Sequence, residues 1–138
     1  MNYLPVIVLG SGGHARVLID ALLLNSVKLL GTTDVVPKNM SLLGVSYLGD
    51  DDVVERYSPN EVCLVNGVGS ISQPYLREKL FKKFKNLGYK FINVIHPFAV
   101  IAADVRLGEG VQVMAGAVLQ SGSVIGDNVI VNTNASVD

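Results

Sequence analysis

The last third of the chain, Ile95 to Asp138, reads IHPFAVIAADVRLGEGVQVMAGAVLQSGSVIGDNVIVNTNASVD and decides the fold. An aliphatic residue returns at every sixth position: Ile95, Ile101, Leu107, Val113, Leu119, Ile125, Val131 and Val137. Four residues after each of the first seven comes a small or β-branched residue, at Ala99, Val105, Val111, Ala117, Ser123, Val129 and Ala135. Between them recur Gly108, Gly110, Gly116, Gly122, Gly126, Asn128 and Asn134. A period of six fits neither an α-helix nor an alternating strand. It fits a parallel β-helix, in which each unit supplies one short strand and one turn and stacked coils bury a continuous apolar interior. The leading aliphatic residue points inward, and Gly and Asn take corners that need left-handed backbone angles. A membrane span is excluded for this tract, because Asp104, Arg106, Glu109 and Asp127 interrupt it too often.

Upstream, Leu4 to Leu9 is a short apolar run closed by Gly10, as expected of a strand buried on both faces. The turn Gly10-Ser11-Gly12-Gly13-His14 follows, and then Ala15, Leu18, Ile19, Leu22 and Leu23 at helical spacing up to Asn25-Ser26. Val27 to Thr33 is a second strand ending at Asp34, which completes a βαβ unit. Gly44 to Leu48 reads as a short strand, and the Asp50-Asp51-Asp52 run as the start of a helix reaching about Tyr57. Glu61 to Asn66 is a third buried strand. After the turn from Ser70 to Gln73, Pro74 suits a first helical turn, and Leu76, Leu80, Phe81, Phe84 and Leu87 form an apolar stripe ended by Gly88. Tyr89 to Val94 is expected to be the last strand. The fold is therefore an α/β N-terminal domain with a small Rossmann-like parallel sheet, residues 1–94, joined without a flexible linker to a β-helix, residues 95–138.

The chain has 138 residues, of which 49% are hydrophobic and 17% charged, enough for a real core. Its net charge of −1 and pI near 6.1 provide no basic footprint for nucleic acid. Cys63, the single cysteine, lies in an apolar run and reads as a buried inert thiol. The N-terminus has neither a basic region nor a small-residue cleavage site, and a cytoplasmic protein is expected. No metal-ligating cluster is read from the sequence.

The glycine turn has the shape of a phosphate cradle, since glycines between strand and helix let an anion approach the helix N-terminal amides. Gly10-x-Gly12-x-x-Ala15 with Asp34 at the second strand's end also satisfies the looser dinucleotide fingerprint. Gly67 and Gly69, in Asn66-Gly67-Val68-Gly69-Ser70, should reach the same sheet edge and complete a crevice, although two tight structural turns would read the same way. His14, in the first turn of its helix, suits a neutral hydrogen-bonding role. His96, before Pro97, reads as a turn residue.

Taken together, the Gly-Ser-Gly-Gly-His turn, Asp34, the Asn66 to Ser70 turn, and His96-Pro97 before a hexapeptide tract resemble bacterial sugar acetyltransferases. The type is the hexapeptide-repeat sialic-acid O-acetyltransferase and nucleotide-aminosugar N-acetyltransferase family, and the match covers the whole chain. The resemblance implies a left-handed β-helix with three hexads per coil. It implies nucleotide-sugar binding by Gly12, Gly13, His14, Asp34 and Gly69, and acetyl-CoA held between subunits of a homotrimer. The family's catalytic stretch carries a histidine base right after the position of Asp138, with Asn132 and Asp138 on its flank. The expectation is therefore an acetyl-CoA-dependent acetyltransferase acting on a nucleotide-linked sugar, preferably at an amine, in bacterial surface-glycan synthesis. This chain is expected to be truncated, inactive without the base, and still self-associating. Two other readings remain: an NAD-type oxidoreductase, which leaves the hexapeptide tract without a role, and a non-catalytic nucleotide-sugar-binding module.

Overall fold

The computed structural model describes residues 4–71 and 74–138. The start of the chain and the end of the turn expected before Pro74 lie outside the described residues. Strands β1 (Val6–Leu9), β2 (Leu29–Thr33), β3 (Ser41–Leu42), β4 (Val45–Gly49) and β5 (Cys63–Asn66) form one sheet in the order β3-β4-β2-β1-β5. All neighbours are parallel except β3 and β4. β1 is apolar on both faces because helices cover both. Val6 and Val8 pack with Leu18, Ile19 and Leu22 of α1 (Gly13–Leu24), while Ile7 and Leu9 pack with Leu80 and Phe84 of α2 (Pro74–Asn86). The chain leaves β1 through α1 toward β2, and leaves the neighbouring β5 through α2 on the opposite face. Their carboxyl ends therefore splay open, as at a topological switch point.

Three local expectations are corrected. The segment after Asp50 is a 3-10 helix, Asp51–Arg56, started by the Asp52 amide donating to Asp50 Oδ1 at 3.0 Å. The two-residue antiparallel strand β3 was not anticipated. Tyr89 to Val94 does not add a full strand: Phe91 makes one isolated bridge to Leu64, and Val94 is captured by the first coil. Phe91 and Tyr89 are nevertheless buried, because they fill the core on the α2 face.

The coil runs through eight two-residue strands: β6 (Val94–Ile95), β7 (Val100–Ile101), β8 (Arg106–Leu107), β9 (Gln112–Val113), β10 (Val118–Leu119), β11 (Val124–Ile125), β12 (Ile130–Val131) and β13 (Ser136–Val137). They stack in parallel rows, β6-β9-β12, β7-β10-β13 and β8-β11, in which Ile95 faces Val113 and Val113 faces Val131. The register is therefore three hexads per coil. Every leading aliphatic residue lies in one core cluster, with Ala99, Val105, Val111, Ala117 and Ala135 filling beside them. Val129 departs from the pattern and is 38% exposed. Of the seven expected corner residues, Gly110, Gly116, Gly122, Asn128 and Asn134 have positive φ, and they too recur every six residues. Gly108 has a different reason to be glycine: a Cβ there would lie 2.7 Å from the Asp127 backbone nitrogen in the next coil.

The two parts are packed on each other. α1 lies along the β6-β9-β12 row, with His14 at Gln112 near one end and Asn25 Nδ2 donating to the Ile95 carbonyl at the other, 2.9 Å. Met114 and Val94 join the core beneath α1. On the α2 side, Phe81 and Phe91 crowd Gly110, and Glu109 accepts from the Phe91 amide (2.9 Å) and pairs with Lys85 (2.8 Å).

Leu119, 1% exposed between coils, tests the stacked interior. Leu119→Ala should lower stability by about 2–5 kcal/mol in urea unfolding, the usual cost of a cavity in a close-packed core.

Candidate functional site

The splayed strand ends enclose a cavity of about 330 Å³. Gly12, Gly13, His14, Asp34 and Gly69 all line it, so the five residues expected to bind substrate come together. From the coil, Ile130 and Asn132 complete its wall. Asn132 thus reaches the cavity, whereas Asp138 is exposed just beyond β13 and is not part of its lining.

The glycines of this crevice fall into two kinds. At Gly10, with φ +103°, a Cβ would lie 3.1 Å from the carbonyl group of Gly67. At Gly67 it would lie 2.6 Å from the Leu9 carbonyl oxygen and 2.8 Å from Val8 Cγ1. These two are required because the β1 and β5 turns touch. At Gly12 and Gly13 a Cβ would meet nothing within 4 Å, and neither has positive φ. The fold does not require them, and what they leave is open space over the first amides of α1.

Asp34 is engaged by its own chain. Its Oδ2 accepts from the Ser11 amide (3.0 Å) and hydroxyl (2.7 Å), and the Lys38 ammonium lies 3.2 Å from Oδ1. The Lys38 amide donates back to Ser11 Oγ, and Asn39 Nδ2 to the Ser11 carbonyl, so the segment after β2 is fastened across the glycine turn. Oδ1, held among the described residues only by the exposed Lys38, is the atom open to an incoming donor.

Beneath the crevice lies a polar network that the sequence reading missed. Arg77 of α2 is 4% exposed. Its Nη1 donates to the carbonyls of Asn66 (3.0 Å) and Val68 (2.8 Å), and Nε and Nη2 both donate to the Asn128 carbonyl of the coil (3.2 and 2.8 Å). Burial lowers its pKa to about 10, which leaves it charged at neutral pH. Asn66 Nδ2 donates to the Arg77 carbonyl and to Asn128 Oδ1. Gln112, 1% exposed, donates from Nε2 to the Asn66 carbonyl and approaches His14 Nε2 with Oε1, both at 2.7 Å. A signal for Arg77 existed: it sits three residues before Leu80 and seven before Phe84, on the buried stripe. His96 is a turn residue as expected, its Nδ1 accepting from the Phe98 amide at 3.1 Å. Among the described residues no cluster of His, Cys, Asp and Glu could hold a metal ion, and no helix is long and apolar enough to cross a membrane.

His14 has its pKa lowered from the ordinary 6.5 by burial, which outweighs the opposing Gln112 hydrogen bond, while the Arg77 charge adds a smaller lowering. As pH falls, the unfolded chain takes up this proton before the folded one does, so folding stability is lost from 6.5 down to the lowered value and is unaffected above. Urea unfolding at pH 7.5 and pH 5 should show the wild type losing more stability on acidification than His14→Asn; equal losses would contradict this.

Comparison with known proteins agrees with this geometry. The PglD N-terminal domain family matches residues 5–84, and the bacterial transferase hexapeptide family (six repeats) matches residues 104–138. A variant of perosamine N-acetyltransferase from Caulobacter crescentus, solved with CoA and GDP-perosamine, is 38% identical with a TM-score of 0.88, over 97% of this chain and 62% of that one. The acetyltransferase domain of PglB from Neisseria gonorrhoeae, solved with acetyl coenzyme A, is 30% identical with a TM-score of 0.85, over 97% of this chain and 64% of that one. The UDP-3-O-acylglucosamine N-acyltransferase of Leptothrix cholodnii is 57% identical over 37 residues, which is 27% of this chain and 11% of that protein. The chain thus spans about three-fifths of the length of the two solved structures. With its model matching more than half of the residues, the chain belongs to the PglD N-terminal domain family, and bacterial transferase hexapeptide repeats follow that domain.

Proposed function

We propose that the crevice binds a nucleotide-linked aminosugar and that the protein of which these residues form part transfers an acetyl group to it from acetyl-CoA. The observation that carries this reading is the open space at Gly12 and Gly13, beside the first amides of α1 and facing Gly69 across the cavity. A diphosphate fits such amides, because the helix terminus offers unpaired N–H groups and the positive end of its dipole. Gly12, Gly13 and Gly69 form the cradle, His14 and Asp34 make polar contacts to the nucleotide sugar, and Asn132 brings the coil to it. The GDP-perosamine and CoA bound in the Caulobacter relative support both the substrate class and the co-substrate.

In the reaction the amine nitrogen attacks the thioester carbonyl carbon. A C–N bond forms, the C–S bond breaks, the amine proton passes to a base and CoA leaves as the thiol. The family pattern puts that base directly after Asp138, with Asn132 and Asp138 beside it. His14 is a poorer candidate, since burial lowers its pKa and so weakens its ring as a proton acceptor. Phe98, Val100 and Val124, exposed on the outside of the coil, support packing of neighbouring subunits into a homotrimer with acetyl-CoA between them. Both substrates belong to the cytoplasm, where we place the reaction.

Titration calorimetry with GDP- and UDP-linked aminosugars should give saturable binding to the chain. Gly12→Ala should weaken it roughly tenfold or more, since a methyl group would enter the cradle, with the melting temperature unchanged. NAD binding without nucleotide-sugar binding would overturn the reading and favour an oxidoreductase.

A further inference from the structure

Gln112 is a buried polar residue of the coil, in the row that faces the N-terminal domain. A backbone carbonyl only accepts, so the contact with the Asn66 oxygen fixes which end of the Gln112 amide is the nitrogen. The amide oxygen then faces His14 Nε2, and because that oxygen also only accepts, Nε2 must carry the hydrogen. In a neutral ring this leaves Nδ1 with its lone pair, and Nδ1 has no partner among the described residues. His14 itself lines the crevice.

We infer that Gln112 is a positioning residue that holds His14 as the neutral Nε2–H tautomer, so that the ring offers the bound ligand an acceptor at Nδ1. The crevice then selects, at that point, a hydrogen-bond donor of the nucleotide sugar, a hydroxyl or an amino group, and turns away a phosphate oxygen. The diphosphate is left to the amides at Gly12 and Gly13. The choice of ligand rests on the proposed function, whereas the tautomer does not. The charged groups around the ring are Arg77 of α2 below it, and Asp34 and Lys38 on the wall of the crevice. None of the three hydrogen-bonds to the ring among the described residues.

The Asn66 carbonyl makes the test clean, because it accepts from Arg77 Nη1 as well as from Gln112. Gln112→Met, similar in volume, therefore leaves that carbonyl with a donor and removes only the partner of His14 Nε2. Nitrogen NMR of the His14 imidazole in the wild type at pH 7.5 should show a protonated Nε2 and an unprotonated Nδ1. In Gln112→Met the preference should relax toward a mixture, and the affinity for the nucleotide sugar should fall roughly fivefold to thirtyfold, as for one lost hydrogen bond. Gln112→Glu restores an acceptor but places a negative charge beside the ring. The His14 pKa should rise, so that Nδ1 also carries a proton at pH 6 and binding is weak there but recovers toward pH 8. A wild-type ring protonated on Nδ1, or a Met variant with unchanged tautomer and affinity, would overturn the inference. An Nε2–H ring in a protein that binds no nucleotide sugar would uphold the role of Gln112 and overturn only the choice of ligand.

Discussion

The guanidinium of Arg77 sits where three pieces of chain must meet: the loop after β5, the start of α2 and a corner of the coil. Removing a charge from water is costly, and among the described residues no carboxylate offsets it. What offsets it is geometry, since its hydrogen bonds among the described residues all end on backbone carbonyls, those of Asn66, Val68 and Asn128. No buried side-chain nitrogen or oxygen is left unpartnered among the described residues. Binding the Val68 carbonyl has a further effect. In a planar trans peptide the C=O and the next N–H point in opposite directions, so the Gly69 amide is turned away from the guanidinium, and Gly69 lines the crevice. The residue that joins the domains therefore also sets the backbone of the ligand site.

The same network continues through the Asn66 carbonyl and Gln112 to His14, so that the coil reaches the first turn of α1 by one buried side chain, Gln112. The crevice is in this sense a joint construction. The sheet supplies the cradle, through turns that touch at Gly10 and Gly67 and open at Gly12 and Gly13. The coil supplies the support beneath and the wall at Ile130 and Asn132.

Much of this was legible in the sequence. The six-residue period placed each leading aliphatic residue in the coil interior, and the glycine turns with Asp34 correctly marked one sheet edge. These features are local or periodic, so spacing reveals them. Arg77 was not recognised because its partner Asn128 is 51 residues away, a separation that no local spacing reveals. Gln112 could have been suspected from register, since three hexads per coil put it in one row with Val94 and Ile130, against the N-terminal domain. The segment from Tyr89 to Val94 looks like a strand by composition. Its pairing was decided by the coil, which claims Val94, and by the α2 core, which claims Phe91.

The central claim is that sheet and coil form one ligand site, and amide hydrogen exchange with and without a saturating nucleotide sugar tests it most directly. Protection should rise together at residues 12–15, 67–69 and 130–132. Protection confined to residues 12–15, with the coil segment unchanged, would contradict the account and leave the glycine turn as a site of its own.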